Sequence, residues 1–188
     1  EEDPLDSRLV DALVDLYDCN LQYIDSLLTD IFDIVTDLDN TVLIVTADHG
    51  DLFGEAGVFG HRLITHDSLT HVPLVVHGLE DIAHQRSEFV QHMDLMETLV
   101  DAAGGDTNQF QGINLETETR QYAVTQKGGQ NSELYLKHNS SFDTSRFHNT
   151  FTTSFRSETF KYNRSSEMTE LFELPNETVD VSDEYPDV

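Results

Sequence analysis

From Arg8 to Leu38 the apolar side chains fall at Leu9, Leu13, Leu16, Tyr23, Ile24, Leu27, Ile31, Ile34, Val35 and Leu38. Steps of three, four and their multiples put them on one stripe of an amphipathic helix, with Asp11, Asp15, Asp18, Asp25, Asp30, Asp33 and Asp37 mostly off it. Pro4 and Asp6-Ser7 supply a start signal. Asp39-Asn40 then breaks the period, and Thr41–Ala47 follows as a continuous β-branched run. Such a run predicts a strand buried on both faces, as in a parallel sheet covered by helices. Val72–His77 predicts a second one, with Pro73 near its start where a missing donor is tolerated. The expectation is that these strands lie side by side in a parallel sheet with the helix packed on one face, an α/β arrangement.

Asp48 to Asp67 is rich in Gly and His, has no period, and reads as a loop of roughly 20 residues, a length that in compact domains is usually functional. Phe89-Val90 is a short strand candidate, and Asp94–Ala103 a helix stopped by Gly104-Gly105. After about Leu115 the character changes. Gln121–Gln126 predicts a strand, and Gly128–Asn149 is polar and partly loop. Phe151–Phe155 and Thr159–Tyr162 flank Arg156-Ser157-Glu158 as an antiparallel hairpin, Glu170–Leu174 is a last strand, and an acidic tail follows from Asn176. The expected division is residues 1–116, the α/β part, and 117–188, an antiparallel subdomain.

Composition changes the picture through charge. Ten Lys and Arg against 36 Asp and Glu give a formal net charge of −26. A surface this acidic repels nucleic acid and anionic membranes, so neither is an expected partner. The acids are spread through every segment rather than gathered in a tail, and only Lys127, Lys137 and Lys161 are lysines. That distribution fits a proteome adapted to molar salt, where the Debye length shrinks to about 3 Å. Hydrophobic residues make up 38% of the chain, in runs that suit a packed core. No run approaches the roughly 18 apolar residues of a membrane span, and no signal peptide is in view, which leaves the cytoplasm slightly favoured. The single Cys19 forms no internal disulfide and reads as a small semi-buried side chain.

Chemistry gathers where the first strand ends, in Thr46-Ala47-Asp48-His49-Gly50-Asp51. Ligands of open α/β sheets bind at the carboxyl ends of strands. A carboxylate beside an imidazole there makes a natural pair of metal ligands, with Gly50 permitting the bend that aims both at one point. An Asp capping the next turn beside a solvated His is the plainer reading of the same residues. Gly54, Gly57, Gly60 and His61 follow, then His66, His71 and His77. Nine His in a base-poor chain suggest an anion or metal site, although any single one of His66, His71 and His77 is more simply a packed or exposed imidazole.

The order Thr-Ala-Asp48-His49-Gly50-Asp-Leu-Phe-Gly-Glu, Gly57-Val-Phe-Gly60-His61, Asp67 and His71-Val72-Pro73-Leu74-Val75-Val76 resembles the sulfatase family of the alkaline phosphatase superfamily. Leu16-Tyr17 through Tyr23-Ile24-Asp25 is similar to the helix before that motif, and Val90–Leu99 with Gly112-Ile113-Asn114-Leu115 to the unit after it. Arg156 through Lys161-Tyr162, then Glu170–Leu174, resembles the family's closing hairpin and strand. The resemblance implies the C-terminal half of an alkaline-phosphatase-like α/β/α domain plus a small antiparallel subdomain. It implies that Asp48 and His49 are the second pair of ligands to a divalent cation, usually Ca²⁺ in sulfatases, with Mn²⁺ or Zn²⁺ open because a His ligand is less typical of calcium. It places His61 where relatives carry a Lys or His against the sulfate or phosphate group, and the three residues are expected to converge.

Departures from the family pattern matter as much. Its nucleophile is a Cys or Ser in Cys/Ser-x-Pro-x-Arg, and no such motif surrounds Pro4, Pro73, Pro175 or Pro186. Its first pair of metal carboxylates lies upstream of these residues. The chain is therefore expected to be a piece of a metal-dependent sulfuric-ester hydrolase, inactive without the missing N-terminal half of its domain. The expected substrate is a sulfate-ester or phosphate-ester small molecule or glycan. Alternatives are a phosphonate or phosphodiester hydrolase, a phosphoethanolamine-type transferase, or a non-catalytic relic or split-gene product that binds a cation or a partner. Asn139, Asn163 and Asn176 head glycosylation-type triplets of a kind that arises readily by chance.

Overall fold

The computed structural model describes residues 7–35, 38–79, 82 and 89–185; the start signals at Pro4 and Asp6, and Asp37, lie outside them. By packing the chain divides into two units, Glu1–Arg62 with His66–Glu80, and Leu63–Thr65 with Asp81–Val188.

The first unit opens with α1, Ser7–Val35. The helix exists as expected, but the stripe read from the sequence is not the face that packs. Val10, Val14, Tyr17, Leu28 and Phe32 are half-buried, as is Val35 alone of the expected stripe, and Tyr17 meets the Phe53 ring edge-on at 5.3 Å. The expected stripe stays open, with Leu16 62% and Ile34 66% exposed. Two apolar stripes run side by side, so more than half of the helix surface is apolar, and periodicity alone could not say which stripe packs here.

Asn40 takes a left-handed φ of 57°, which Asn tolerates, and turns the chain into β1, Leu43–Thr46. β1 pairs with β4, Leu74–His77, as expected from the two apolar runs, yet the pairing is antiparallel: Leu43 faces His77 and Thr46 faces Leu74. The expected parallel sheet is thus corrected, and so is the interior position, because these two strands form a sheet of their own. A parallel partner needs a long crossover, usually a helix. The connection here holds only a hairpin, β2 (Leu52–Phe53) with β3 (Phe59–Gly60), and the one-turn helix α2, Asp67–Thr70. Burial agrees: β1 is half-buried up to an exposed Thr46, and β4 alternates, with Val75 half exposed. The segment read as an aperiodic loop is therefore structured, around a core of Leu52, Val58 and Leu69.

In the second unit Phe89 forms a single bridge to Arg120, and α3 spans His92–Ala102 before Gly104-Gly105. Four strands follow, β5 (Ala123–Lys127), β6 (Thr152–Arg156), β7 (Phe160–Arg164) and β8 (Thr169–Glu173), all antiparallel in that order. The antiparallel C-terminal subdomain is as expected. Glycosylation at Asn163 is not compatible with its place: it is buried and accepts from the Thr65 hydroxyl at 3.2 Å.

Asp94 organises this unit. Its carboxylate is 0% exposed and takes the Arg120 guanidinium on two nitrogens, at 2.6 and 2.8 Å. It also accepts from the backbone N–H of Gln91 at the start of α3 and of Ile113 in the returning chain. Gly112 makes the return possible, since a Cβ there would lie 2.3 Å from the Met93 carbonyl oxygen. The Asp94 hydrogen bonds raise the Arg120 pKa further, against the opposing effect of burial. Asp94→Ala would leave that guanidinium without its carboxylate and two backbone donors unsatisfied. The expected cost is about 3 kcal/mol of unfolding free energy in urea titrations, the lower end for a broken buried pair because Arg120 keeps some water. A loss below about 1 kcal/mol, the scale of an exposed pair, would contradict this account.

Candidate functional site

The site is built on the segment that follows β1. Gly50 donates its N–H to the Leu69 carbonyl at 3.0 Å, and a Cβ at position 50 would stand 2.0 Å from the Ser68 carbonyl oxygen. Only glycine lets the chain pass so close to α2. Glu55 fastens the same region: one oxygen accepts from the Phe53 N–H at 2.6 Å and the other from the Ser68 hydroxyl at 2.8 Å. Burial works against the Glu55 charge, but these bonds, its own backbone N–H and nearby His66 hold the carboxyl below its usual range.

The hairpin then sets the partners. Leu52 pairs with Gly60 and Phe53 with Phe59, so Asp51 and His61 are the next residues across from one another. His61 Nδ1 lies 3.3 Å from Asp51 Oδ1. The His49 ring stands 4.6 Å from the His61 ring, centroid to centroid, with 31° between their planes. His49 Nδ1 is 2.8 Å from the Gly50 carbonyl oxygen, which only accepts, so Nδ1 donates there and, in the neutral ring, Nε2 keeps the lone pair. Asp48 accepts from the His49 backbone N–H at 3.0 Å, and its other oxygen is 3.8 Å from His49 Nε2.

Of the residues singled out from the sequence, His49 meets His61 through its ring and Asp48 lies against His49, with side-chain exposures of 88% for Asp48, 43% for His49 and 53% for His61. His66 does not join them: it caps α2, its Nδ1 accepting from the Ser68 N–H at 3.1 Å. His71 and His77 are exposed, the latter on β4. Asp51 is the residue the sequence reading quoted without a role. The signal was present, in a glycine-rich turn between Leu52-Phe53 and Val58-Phe59 whose register places residues 51 and 61 in opposition.

A carboxylate and an imidazole side by side, with the imidazole lone pair free, suit a divalent cation, so the residues fit the metal that the motif implies. The second imidazole can donate to an anion.

The fold is shared with solved phosphonate monoester hydrolases. A phosphonate monoester hydrolase of Agrobacterium radiobacter superposes with a TM-score of 0.68 at 23% identity, covering 87% of this chain and 36% of that one. The phosphonate monoester hydrolase from Silicibacter pomeroyi gives 0.63 at 19% identity, covering 87% and 35%. The protein BT4656, solved with its substrate D-glucosamine-2-N,6-O-disulfate, gives 0.57 at 19% identity, covering 79% and 31%. The chain thus spans about a third of the length of these solved proteins. No curated protein sequence matches it. The sulfatase family profile matches residues 2–105, more than half of the sequence, and the chain belongs to the sulfatase family.

Gly50→Ala tests the geometry without touching a functional side chain. The added methyl must push the segment off α2, at a cost of about 1–3 kcal/mol. Contacts between the His49 and His61 rings, read as NMR cross-relaxation, should weaken or vanish. Unchanged contacts and stability would show that the close approach does not position the site.

Proposed function

We propose that this chain is the C-terminal portion of a metal-dependent sulfuric-ester hydrolase, with Asp48 and His49 ligating a divalent cation and His61 contacting the transferring anionic group. The observation that supports the reading is the His49 ring 4.6 Å from the His61 ring, with an Asp48 oxygen 3.8 Å from His49 Nε2, in a chain that belongs to the sulfatase family. The bound cation would supply charge to polarise the ester. Asp48 and His49 hold it, Gly50 fixes the His49 tautomer through its carbonyl, and His61, beside Asp51, donates to the anionic oxygens of the transferring group. The nucleophile and remaining ligands would be supplied from outside these residues, since no Cys/Ser-x-Pro-x-Arg occurs here. Residues 1–116 would then be part of the catalytic domain and 117–188 its antiparallel subdomain. The open stripe of α1 supports the same reading, because a row of exposed Leu and Ile is the kind of surface that another layer of the same domain covers. Calcium is the ion of the family resemblance, and the net charge of −26 supports a setting of molar salt.

A second reading is hydrolysis of phosphonate monoesters, favoured by the fuller coverage of this chain by two phosphonate monoester hydrolases.

The test compares the 188-residue chain with a version extended upstream to include the nucleophile motif, in high salt with calcium or manganese. The chain alone should show background rates on an aryl sulfate and a phosphonate ester. The extended protein should turn over, and Asp48→Ala or His49→Ala should each lower that rate by at least about a thousandfold, as expected when a metal site is broken. Preference for the phosphonate would select the second reading. Metal-dependent turnover by the chain alone would mean that other residues carry the chemistry.

A further inference from the structure

We infer that His49, Asp51 and His61 together form a site for a borderline transition-metal cation, zinc above all, which this chain builds from its own residues. One ligand atom from each of the three lies within 4.8 Å of the others. The proposal differs from the catalytic arrangement above in two ways: Asp51 is a ligand, and His61 binds the cation rather than the anionic group. It does not depend on the hydrolase reading.

Three features favour such an ion. Two imidazoles and one carboxylate are a donor set that suits zinc and its neighbours in the transition series and not calcium, which takes six to eight oxygens. The ligands are also pre-oriented. The β2–β3 register holds Asp51 and His61 opposite one another, and the His49 Nδ1 proton is tied to the Gly50 carbonyl, which leaves Nε2 for the metal. Finally, little movement is needed. Ligand atoms around a tetrahedral zinc stand roughly 3.3 Å apart, given bonds of about 2.0–2.1 Å. Separations within 4.8 Å must therefore close by at most about 1.5 Å. His49 and His61 are each about half exposed, so their rings have room to adjust. Open coordination positions remain for water.

Asp48 distinguishes the two arrangements. Its side chain is 88% exposed and is not among the three grouped ligands. If both arrangements exist in a longer enzyme, a zinc ion held by His61 removes the imidazole that the anionic group would contact, so zinc and substrate compete.

The experiment uses the metal-free 188-residue chain, titrated separately with zinc chloride and calcium chloride by calorimetry, with imidazole ¹⁵N shifts read in parallel. Zinc should bind one to one and move the ring-nitrogen signals of His49 and His61. Buried His148, held between Ser165 and Glu170 in the second unit, should stay in place and so report an intact fold. Asp51→Ala and His61→Ala should each weaken zinc binding at least about tenfold, while Asp48→Ala and His77→Ala change it less than about threefold, tenfold being the least that supporting residues of metal sites cost. Any of three results overturns the proposal: no zinc binding, calcium bound in preference to zinc, or binding lost with Asp48→Ala and kept with Asp51→Ala and His61→Ala.

Discussion

The carbonyl oxygen of Ser68 sits where the β-carbon of residue 50 would be, only 2.0 Å from an ideal Cβ, and the candidate site follows from that exclusion. With glycine there, the chain leaving β1 closes on α2 and bonds to Leu69, which fixes where His49 hangs. The hairpin that starts two residues later returns His61 to the same place. Glu55 ties the hairpin loop to Ser68 on the helix against which Gly50 packs. One close backbone approach therefore supports the strand end, the hairpin and the one-turn helix together, and brings together side chains twelve residues apart.

The second unit solves a different problem, that of burying polar groups in a protein whose surface is overwhelmingly acidic. Its interior holds Asp94 with Arg120, Lys161 with Glu177 at 2.9 Å, and His148 between a hydroxyl and a carboxylate. Of three lysines in the sequence, Lys161 is 1% exposed and Lys127 donates to the His148 carbonyl, with burial lowering its pKa. Scarce ammonium groups are thus spent on internal pairing. The division has a consequence for salt. Surface repulsion among carboxylates is screened within a few ångströms in concentrated salt, whereas pairs out of reach of ions are not. Buried pairs of this kind specify which strands meet more than they add stability.

How far the sequence revealed this structure depends on whether the information was local. Turn and cap signals were local and readable: Asn40 at positive φ, Gly104-Gly105 after α3, and the β6–β7 hairpin with its neighbours. The Asp48–His49 pair and His61 stand out in the sequence through the family resemblance, and the fold sets the His49 and His61 rings 4.6 Å apart. Strand direction was not legible. A run such as Leu43–Thr46 has the same composition in a parallel or antiparallel pair, and the distinction lay in the connection, whose glycine-rich hairpin was read as an aperiodic loop. The pairing of Asp51 with His61 was illegible for the same reason, since it exists only through register.

Helix α1 carries more apolar surface than its unit covers. A single stripe was traced along Leu9, Leu13, Leu16 and onward, and the stripe beside it, through Val10, Val14, Tyr17 and Phe32, is the one that meets the rest of its unit. A helix apolar on one face needs one neighbour, and a helix apolar over two adjoining faces needs two. At about 25 cal/mol per Å², leaving side chains such as Leu16 and Ile34 in water forgoes on the order of 1 kcal/mol each. Ten exposed large hydrophobics from Leu9 to Leu38 make that a substantial unclaimed driving force. The second face of α1 is thus an apolar surface without cover among the described residues, of the kind that suits a further layer of the same domain.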